Sequence, residues 1–273
     1  MFELQRKQSR LRSFFNIMRL IHVATVRNVR KTQRTPLMSL FMNMMQTLMF
    51  VMAFLVMFQI LGMRGAAIRG DFVLYIMSGI FLFMTHTTAM GAVSGAEGPT
   101  SPMMQHAPMN TIISICAAAL SSLYTQLFSM AVILFGYYII FTPFEIYDPI
   151  SCLGMVLLAW GSGCALGLVV LAAKPWAPAI IGIFSTVYQR ANMIASGKMF
   201  VANTLPKSML VMFDWNPLFH TIDQARGFAF INYIPRNSSA EYPLKVTVAL
   251  LAIGLVLEFY TRQYASSSWS TKS

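Results

Sequence analysis

The chain has 273 residues, of which 56% are hydrophobic and 11% are charged, and its mean hydropathy is +0.61. This composition excludes an ordinary soluble domain. The formal net charge of +11 would suit a nucleic-acid partner, but nine of the twenty Lys and Arg residues precede residue 35. A basic segment directly ahead of an apolar run is typical of the cytoplasmic side of a membrane protein and of attraction to anionic lipid. We therefore expect a membrane partner and no nucleic acid.

Residues 1–36 form the basic N-terminal region. Across 12–34, five arginines fall within a helical sector of roughly 80°, with most apolar side chains opposite. This pattern predicts an amphipathic helix lying along the inner leaflet, and a solvated basic tail is the alternative. The arginines assigned to the membrane surface are Arg12, Arg19, Arg27, Arg30 and Arg34.

Apolar runs long enough to cross a bilayer recur through residues 37–273. They predict an all-α integral membrane protein with six transmembrane helices, whose even number places both termini in the cytoplasm. No cleaved signal peptide is expected. The three cysteines lie in or beside these runs without CxxC spacing, which indicates packing rather than disulfides or metal binding. The predicted spans are 37–62, 72–92, 111–141, 150–173, 178–197 and 243–261.

The loop at 93–110 is interrupted by glycine and proline and carries no Lys or Arg, although the predicted topology places it in the cytoplasm. A short helix between its prolines would suit docking into a partner protein, and an ordinary connecting loop is the alternative. In the next hairpin, predicted span four contains several small residues, which permit close helix contact in lipid. These small residues are Gly154, Gly161, Ser162, Gly163 and Gly167.

Predicted span five contains Arg190 well inside an apolar run, where an arginine costs about 3 kcal/mol on insertion scales. Polar side chains share or border its helical face, so we interpret this side of the helix as the wall of a water-accessible path. An ion pair with Glu258 is the alternative, although Arg262 could occupy that carboxylate as an i,i+4 partner. The residues assigned to the path are Thr186, Tyr188, Gln189, Arg190, Asn192 and Met193.

Residues 199–242 lie between the last two predicted spans and are too long for a simple hairpin. Asn216 and Pro217 are typical of an N-cap and a first helical position, and Gly227 predicts the left-handed end of that helix. Pro206 predicts the start of another short helix that closes near Asp214. Neither helix could cross a bilayer. We therefore predict a cap made of two short re-entrant helices.

Sequence motifs for catalysis are absent from the printed sequence. It contains no Walker A loop, HExxH, GxSxG or paired-cysteine zinc spacing, and its histidines and carboxylates are scattered. We predict no enzymatic activity, no metal and no cofactor on this chain.

The cap sequence resembles the capsule-polysaccharide export permeases, which are type-two ATP-binding-cassette exporters. The resemblance spans nearly the whole chain, and residues 215–226 are its most specific part. In one respect the chain departs from the family pattern, because residues 26–30 lack an acidic residue. The matching segments are Leu205-Pro206-Lys207, Trp215-Asn216-Pro217-Leu218-Phe219-His220, Asp223-Gln224-Ala225-Arg226-Gly227, Tyr233 and Pro108-Met109-Asn110-Thr111-Ile112-Ile113.

The resemblance implies a homodimeric permease in the bacterial inner membrane that works with two separate ATPase subunits. These subunits would bind ATP and Mg²⁺, and an envelope-spanning adaptor is left open. The implied cargo is an anionic, lipid-linked surface polysaccharide. The residues implied for ATPase coupling are Glu97, Gly98, Pro99, Met103, Gln105 and His106. The residues implied for a periplasmic cap that gates the exit are Pro206, Trp215, Asn216, Pro217, His220, Asp223, Arg226 and Tyr233.

Three alternative functions stay open. A drug or lipid exporter would share the architecture. A membrane enzyme acting on lipid-linked sugars would need clustered acids or a metal site. A membrane scaffold would tolerate loss of the docking loop.

Overall fold

The computed structural model describes residues 10–31, 36–60, 62, 71–98, 111–141 and 143–270, with the side chains of 10–14, 30, 31, 36 and 265–270 excepted. All regular elements in these ranges are helical, so the all-α prediction is confirmed. The helices are α1 Arg10–Lys31, α2 Pro36–Ile60, α3 Phe72–Ser94, α4 Thr111–Ile140, α5 Pro149–Ala173, α6 Pro178–Ala195, α7 Lys207–Phe213, α8 Pro217–Ala229 and α9 Glu241–Ser270, with a 3-10 helix at Ala202–Thr204.

Five of these helices, α2, α3, α4, α5 and α9, are long and apolar enough to cross a membrane. They support a multi-pass membrane protein. Helix α6 has 18 residues, a length of about 27 Å at 1.5 Å per residue, and it contains Arg190. It is not among the five. The sixth span therefore stays a prediction.

Helices α3 and α5 form the centre of the bundle, because they pack along each other while α9 covers α5 and α4 covers α3. Glycines make this close approach possible. A Cβ at Gly163 would overlap the carbonyl oxygen of His86, and one at Gly167 would lie 2.8 Å from that of Met90. The predicted role of small residues in packing is confirmed at these two positions. At Gly154 a Cβ would meet no described atom within 4 Å, so the predicted packing is not observed there within this chain.

Helix α1 confirms the helix predicted near the N-terminus and packs against α4. Half-buried positions recur at helical spacing, as at Ala24 and Asn28, while Arg19 and Arg27 are exposed. Several large apolar side chains of α1 are also exposed, including Phe15, which suits contact with lipid. The placement of α1 on the inner leaflet stays a prediction. Arg34 lies outside the described residues, and the side chains of Arg12 and Arg30 are not described.

The two short helices of the cap region are α7 and α8, and their starts at Lys207 and Pro217 match the prediction. The prediction for Gly227 was wrong. Helix α8 continues through this residue to Ala229, and its φ is not positive. A glycine is needed here because the chain approaches closely at Pro235. A Cβ at Gly227 would lie 2.6 Å from Cδ of Pro235. The glycine therefore allows the segment at Pro235 to pack against α8, and it does not end the helix.

Candidate functional site

Asn216 joins the cap region, residues 199–242, to helix α6. Its side-chain oxygen accepts from the amide of Leu218 at 3.0 Å and so caps α8. Its amide nitrogen donates to Oδ1 of Asn192 at 2.6 Å and to the carbonyl of Ala195 at 3.0 Å. Both ends of one buried amide are therefore used, and the start of α8 is fixed to the last turns of α6.

Arg226 is fully buried in α8 and fixes the turn that follows α6. Its Nη1 donates to the carbonyls of Gly197 at 2.9 Å and Phe200 at 2.7 Å, and its Nη2 donates to that of Lys198 at 2.7 Å. The guanidinium carbon lies 4.3 Å from the ring centre of Tyr75 on α3. Three carbonyls and a ring face thus hold this charge, as the planar guanidinium allows.

Asp223, one turn before Arg226, fixes the loop that leads from α8 towards α9. Its Oδ1 accepts from the amide of Ala202 at 3.3 Å and from the hydroxyl of Tyr233 at 2.5 Å. Its Oδ2 accepts from the hydroxyl of Ser238 at 2.7 Å. Burial and the neighbouring Asp223 carboxylate raise the pKa of the Tyr233 hydroxyl above its usual value. The hydroxyl therefore keeps its proton and donates a hydrogen bond to Asp223.

His220 connects α8 to both of its flanking segments. Its Nδ1 accepts from the amide of Ser239 at 3.2 Å, so the ring proton lies on Nε2. That nitrogen lies 2.7 Å from the carbonyl oxygen of Asp214 and 3.1 Å from its carboxylate. The ring centre lies 4.8 Å from that of Tyr242. His220 therefore connects segments of the chain. Among these contacts, Asp214 is its one neighbour that could also bind a metal ion.

Trp215 is the most accessible aromatic residue among the predicted cap positions, at 59% exposure. It lies between α7 and α8, where its indole donates to the carbonyl of Met212 at 2.6 Å. Its own carbonyl accepts from the hydroxyl of Tyr242 at 2.7 Å. Pro206, another predicted cap residue, stands at the N-cap of α7.

Lys198 was missed as a site residue. It is 2% exposed, and its Nζ has no hydrogen-bond partner among the described residues. Instead it lies 3.5, 4.9 and 5.7 Å from the ring centres of Phe83, Phe54 and Phe50. The rings belong to α3 and α2, far away in sequence. Only its position directly after an apolar run could have signalled a buried cation.

The predicted path residues divide between two sides of α6. Tyr188 and Asn192, one turn apart, face the rest of the chain. The hydroxyl of Tyr188 lies 3.1 Å from Nε2 of His86, whose Nδ1 lies 2.9 Å from the hydroxyl of Ser162. Ser162 donates to the carbonyl of Ala159, so the arrangement fits the tautomer in which Nδ1 carries the proton. These polar groups connect α6, α3 and α5.

The other path residues lie on the outer side of α6 or at its edges. Arg190 and Thr186 are exposed, Gln189 is half-buried, and the hydroxyl of Thr186 donates to the carbonyl of Gly182. Met193 borders a groove formed with α2. The structure therefore does not bring the six predicted residues together on one surface.

Glu258 pairs with Arg262 at 3.2 Å, within α9. This observation decides between the two partners considered for the carboxylate. Arg190 makes no ion pair with any described residue. Its exposed position is compatible with the path interpretation.

Of the predicted coupling residues, the structure describes Glu97 and Gly98. The amide of Glu97 donates to the hydroxyl of Ser114 at 3.1 Å, which joins the end of α3 to the start of α4. Gly98 lies against Leu171 of α5. Pro99, Met103, Gln105 and His106 lie outside the described residues.

The described parts of the chain contain no group of three or more His, Cys, Asp or Glu residues placed to hold a metal ion. Cys116, Cys152 and Cys164 are free thiols. The polar contacts of the cap region join segments of the chain to one another, so this geometry supports a structural unit that leaves the Trp215 side chain exposed.

No family profile matches the chain. Two curated proteins from Escherichia coli are similar to it, and both are named polysialic acid transport protein KpsM. Each is 25% identical over 199 residues, which cover 71% of this chain and 75% of the relative. The resemblance to capsule-polysaccharide export permeases of the ATP-binding-cassette type is confirmed. The predicted resemblance spans nearly the whole chain, and the similarity to these two relatives covers 71% of it.

Proposed function

We propose that this chain is the transmembrane subunit of an ATP-driven exporter that moves a surface polysaccharide across the bacterial inner membrane. The cargo is anionic and lipid-linked. Both termini of the chain are cytoplasmic, α6 is the sixth span, and the cap lies on the periplasmic side. The similarity to the two polysialic acid transport proteins carries the proposal.

The cap region supports this function through its construction. Arg226, Asp223 and Asn216 use buried polar groups to fix α7 and α8 against the end of α6. Trp215 remains exposed on that surface. A flat aromatic side chain beside polar groups suits stacking on a sugar face. In this proposal α7 and α8 are re-entrant helices that gate the exit.

The transport path runs along α2 and α6, between two copies of the chain. Arg190 offers positive charge and Gln189 offers hydrogen bonds to the passing polymer. The exposed side of α6 supports this arrangement, because Arg190 has no ion-pair partner within the described part of the protein. A second copy would place two such surfaces opposite each other.

Energy comes from two separate ATPase subunits that bind ATP and Mg²⁺. The loop at 93–110 docks into them, with residues 1–36 along the adjoining membrane surface and residues 37–273 as the permease domain. Contacts at Glu97 and Gly98 support this role, because they connect the start of the loop to α4 and α5. A shift of the loop would therefore reach three helices of the bundle.

Deletion of the gene followed by complementation tests the function. Loss of surface polysaccharide and accumulation of its lipid-linked precursor inside the cell are the expected results. Arg190→Ala should complement poorly at normal protein level, whereas Arg236→Ala, an exposed arginine of the cap region, should complement fully. Normal surface polysaccharide in the deletion strain contradicts the proposed function.

The main alternative is a drug or lipid exporter of the same architecture. Changed drug tolerance or lipid distribution in the deletion strain, with normal polysaccharide, would favour it. Co-purification with mass spectrometry tests the partners, since the proposal requires an ATPase in the complex. Deleting residues 98–107 should abolish its recruitment, and an unaffected complex would favour a scaffold. Turnover of a lipid-linked sugar by the purified chain alone would favour an enzyme.

A further inference from the structure

Lys198 is a buried cation without an anion. Its Nζ has no hydrogen-bond partner among the described residues, and no described ion pair includes it. An ammonium carries three donors and no acceptor. Leaving such a group buried and unpartnered is costly, so Lys198 is a candidate for a functional role.

Three phenylalanine rings, which belong to α2 and α3, surround the ammonium of Lys198. The Phe83 ring centre, at 3.5 Å, is the nearest, and Phe54 and Phe50 stand at 4.9 and 5.7 Å. All three are within the distance at which a ring face attracts a cation. The rings hold the charge electrostatically, but they accept no strong hydrogen bond. The ammonium therefore has aromatic neighbours but no anionic partner within the described part of the chain.

The main chain of Lys198 is held from two sides. Its carbonyl accepts from Nη2 of Arg226 at 2.7 Å. On α3, a Cβ at Gly79 would lie 2.9 Å from its Cα, so the helix backbone touches the turn. Gly197 adopts a φ of +73° immediately before it, a conformation suited to glycine. The backbone of Lys198 is therefore fixed by the fold.

A groove between α2 and α6 lies beside two of these rings. Phe50 and Phe54 line a cavity of about 460 Å³ together with Gln46 of α2 and Met193 of α6. Two of the rings that enclose Lys198 therefore also form the wall of an open groove. Lys198 is 2% exposed and does not line the groove in this conformation, so access to its ammonium requires one of the shared rings to rotate.

We propose that Lys198 binds a carboxylate or phosphate group of the exported polymer, which enters through the groove between α2 and α6. The inference rests on the proposed function, whose path it deepens by adding a residue and a ligand chemistry. Charge complementarity selects the anion, because the Lys198 ammonium has no acidic partner among the described residues. Apolar side chains of the groove contact the less polar faces of the sugars, and Gln46 supplies hydrogen bonds.

Binding to the purified full-length protein in phosphatidylcholine nanodiscs tests the site. The probes are a fluorescent sialic acid oligosaccharide and a neutral dextran oligosaccharide of equal length. Lys198→Met should weaken binding of the acidic probe at least about tenfold, equivalent to ~1.4 kcal/mol, and leave the neutral probe unchanged. Added salt should weaken the wild type in the same direction. Lys207→Met removes an exposed lysine of α7 and should change neither.

Thermal stability separates this role from a structural one. Methionine fills a similar volume and removes a buried charge without a partner, so Lys198→Met should melt at or above the wild-type temperature. Lys198→Arg keeps the charge and should retain more of the acidic binding than Lys198→Met. A large loss of stability with equal loss of both probes would overturn the proposal and make Lys198 a structural cation. Unchanged acidic binding by Lys198→Met would overturn it as well.

Two further experiments are needed. One identifies the source of the anion, and the other shows whether this inference alone or also the proposed function fails. If phosphatidylglycerol in the nanodisc binds through Lys198 and the acidic oligosaccharide does not, a lipid headgroup replaces the polymer as occupant and the proposal is overturned. In the deletion strain, full restoration of surface polysaccharide by Lys198→Met overturns this inference alone. Normal polysaccharide in the uncomplemented strain overturns the proposed function together with it.

Discussion

Asn192 and Asn216 share a hydrogen bond of 2.6 Å between their side-chain amides, 24 residues apart in sequence. Both residues are buried. Because Asn216 also caps α8, the contact makes the start of α8 dependent on the last turns of α6. The two helices therefore behave as one structural unit.

Asn216→Ala and Asn216→Asp separate these two roles. Alanine removes the cap and both donated hydrogen bonds, and we expect a loss of roughly 2–3 kcal/mol in the free energy of unfolding. Aspartate keeps the capping oxygen but loses the donors to Asn192 and Ala195, so at least half of the loss should remain. Thermal unfolding in detergent measures both. Wild-type stability of Asn216→Asp would contradict the proposed link to α6.

Arg226→Lys should destabilise the protein strongly, although it preserves the charge. A lysine cannot reproduce three hydrogen bonds to separate carbonyls or the planar contact with Tyr75. Hydrogen bonds from charged donors are worth roughly 1.5–3 kcal/mol each, so we expect a loss of at least about 3 kcal/mol. Fluorescence-detected size exclusion after heating provides the measurement. Arg236→Lys is the matched control on the exposed surface, and equal melting of the two variants would contradict the assignment.

Gly163→Ala tests the close packing of α3 on α5. Its Cβ would overlap the backbone of α3 at His86, and such overpacking costs about 1–3 kcal/mol. Gly154→Ala lies on the same helix with open space around it. That substitution should be neutral or stabilise by up to about 1 kcal/mol through helix propensity. The difference in melting temperature between the variants is the measurement, and no difference would refute the packing argument.

A double-mutant cycle tests the pairing of Glu258. Glu258→Gln and Arg262→Gln should be coupled by at least about 0.5 kcal/mol, because their side chains are in contact. Glu258→Gln and Arg190→Gln should add independently within about 0.5 kcal/mol. The free energy of unfolding of the single and double variants gives both values. Coupling to Arg190 instead would restore the structural interpretation of that arginine.

The helices of this protein could be predicted from sequence because apolar length and capping residues are local signals. The starts of α7 and α8 follow from Pro206 and from Asn216 with Pro217. The role of Gly227 could not be predicted from its neighbours in sequence. The same residue suits a left-handed helix end or a close approach, and only the return of Pro235 decided between them.

The surroundings of Lys198 could not be predicted, because its three rings come from helices more than 110 residues earlier in the chain. Sequence also could not divide the path residues. Periodicity places Asn192 beside the polar stripe of α6, but its burial depends on Asn216 in another segment. Which side of α6 meets the chain is a property of the tertiary packing.

Arg226 leaves little freedom at the junction between α6 and the cap region. A hinge there would have to break the three hydrogen bonds that the Arg226 guanidinium donates to the turn and separate the turn from Gly79. The junction therefore connects α6 rigidly to α8. Any tilt of α6 within the bilayer would carry α8 and the exposed indole of Trp215 with it, so motion imposed on the helix would be felt at its far end without a separate trigger.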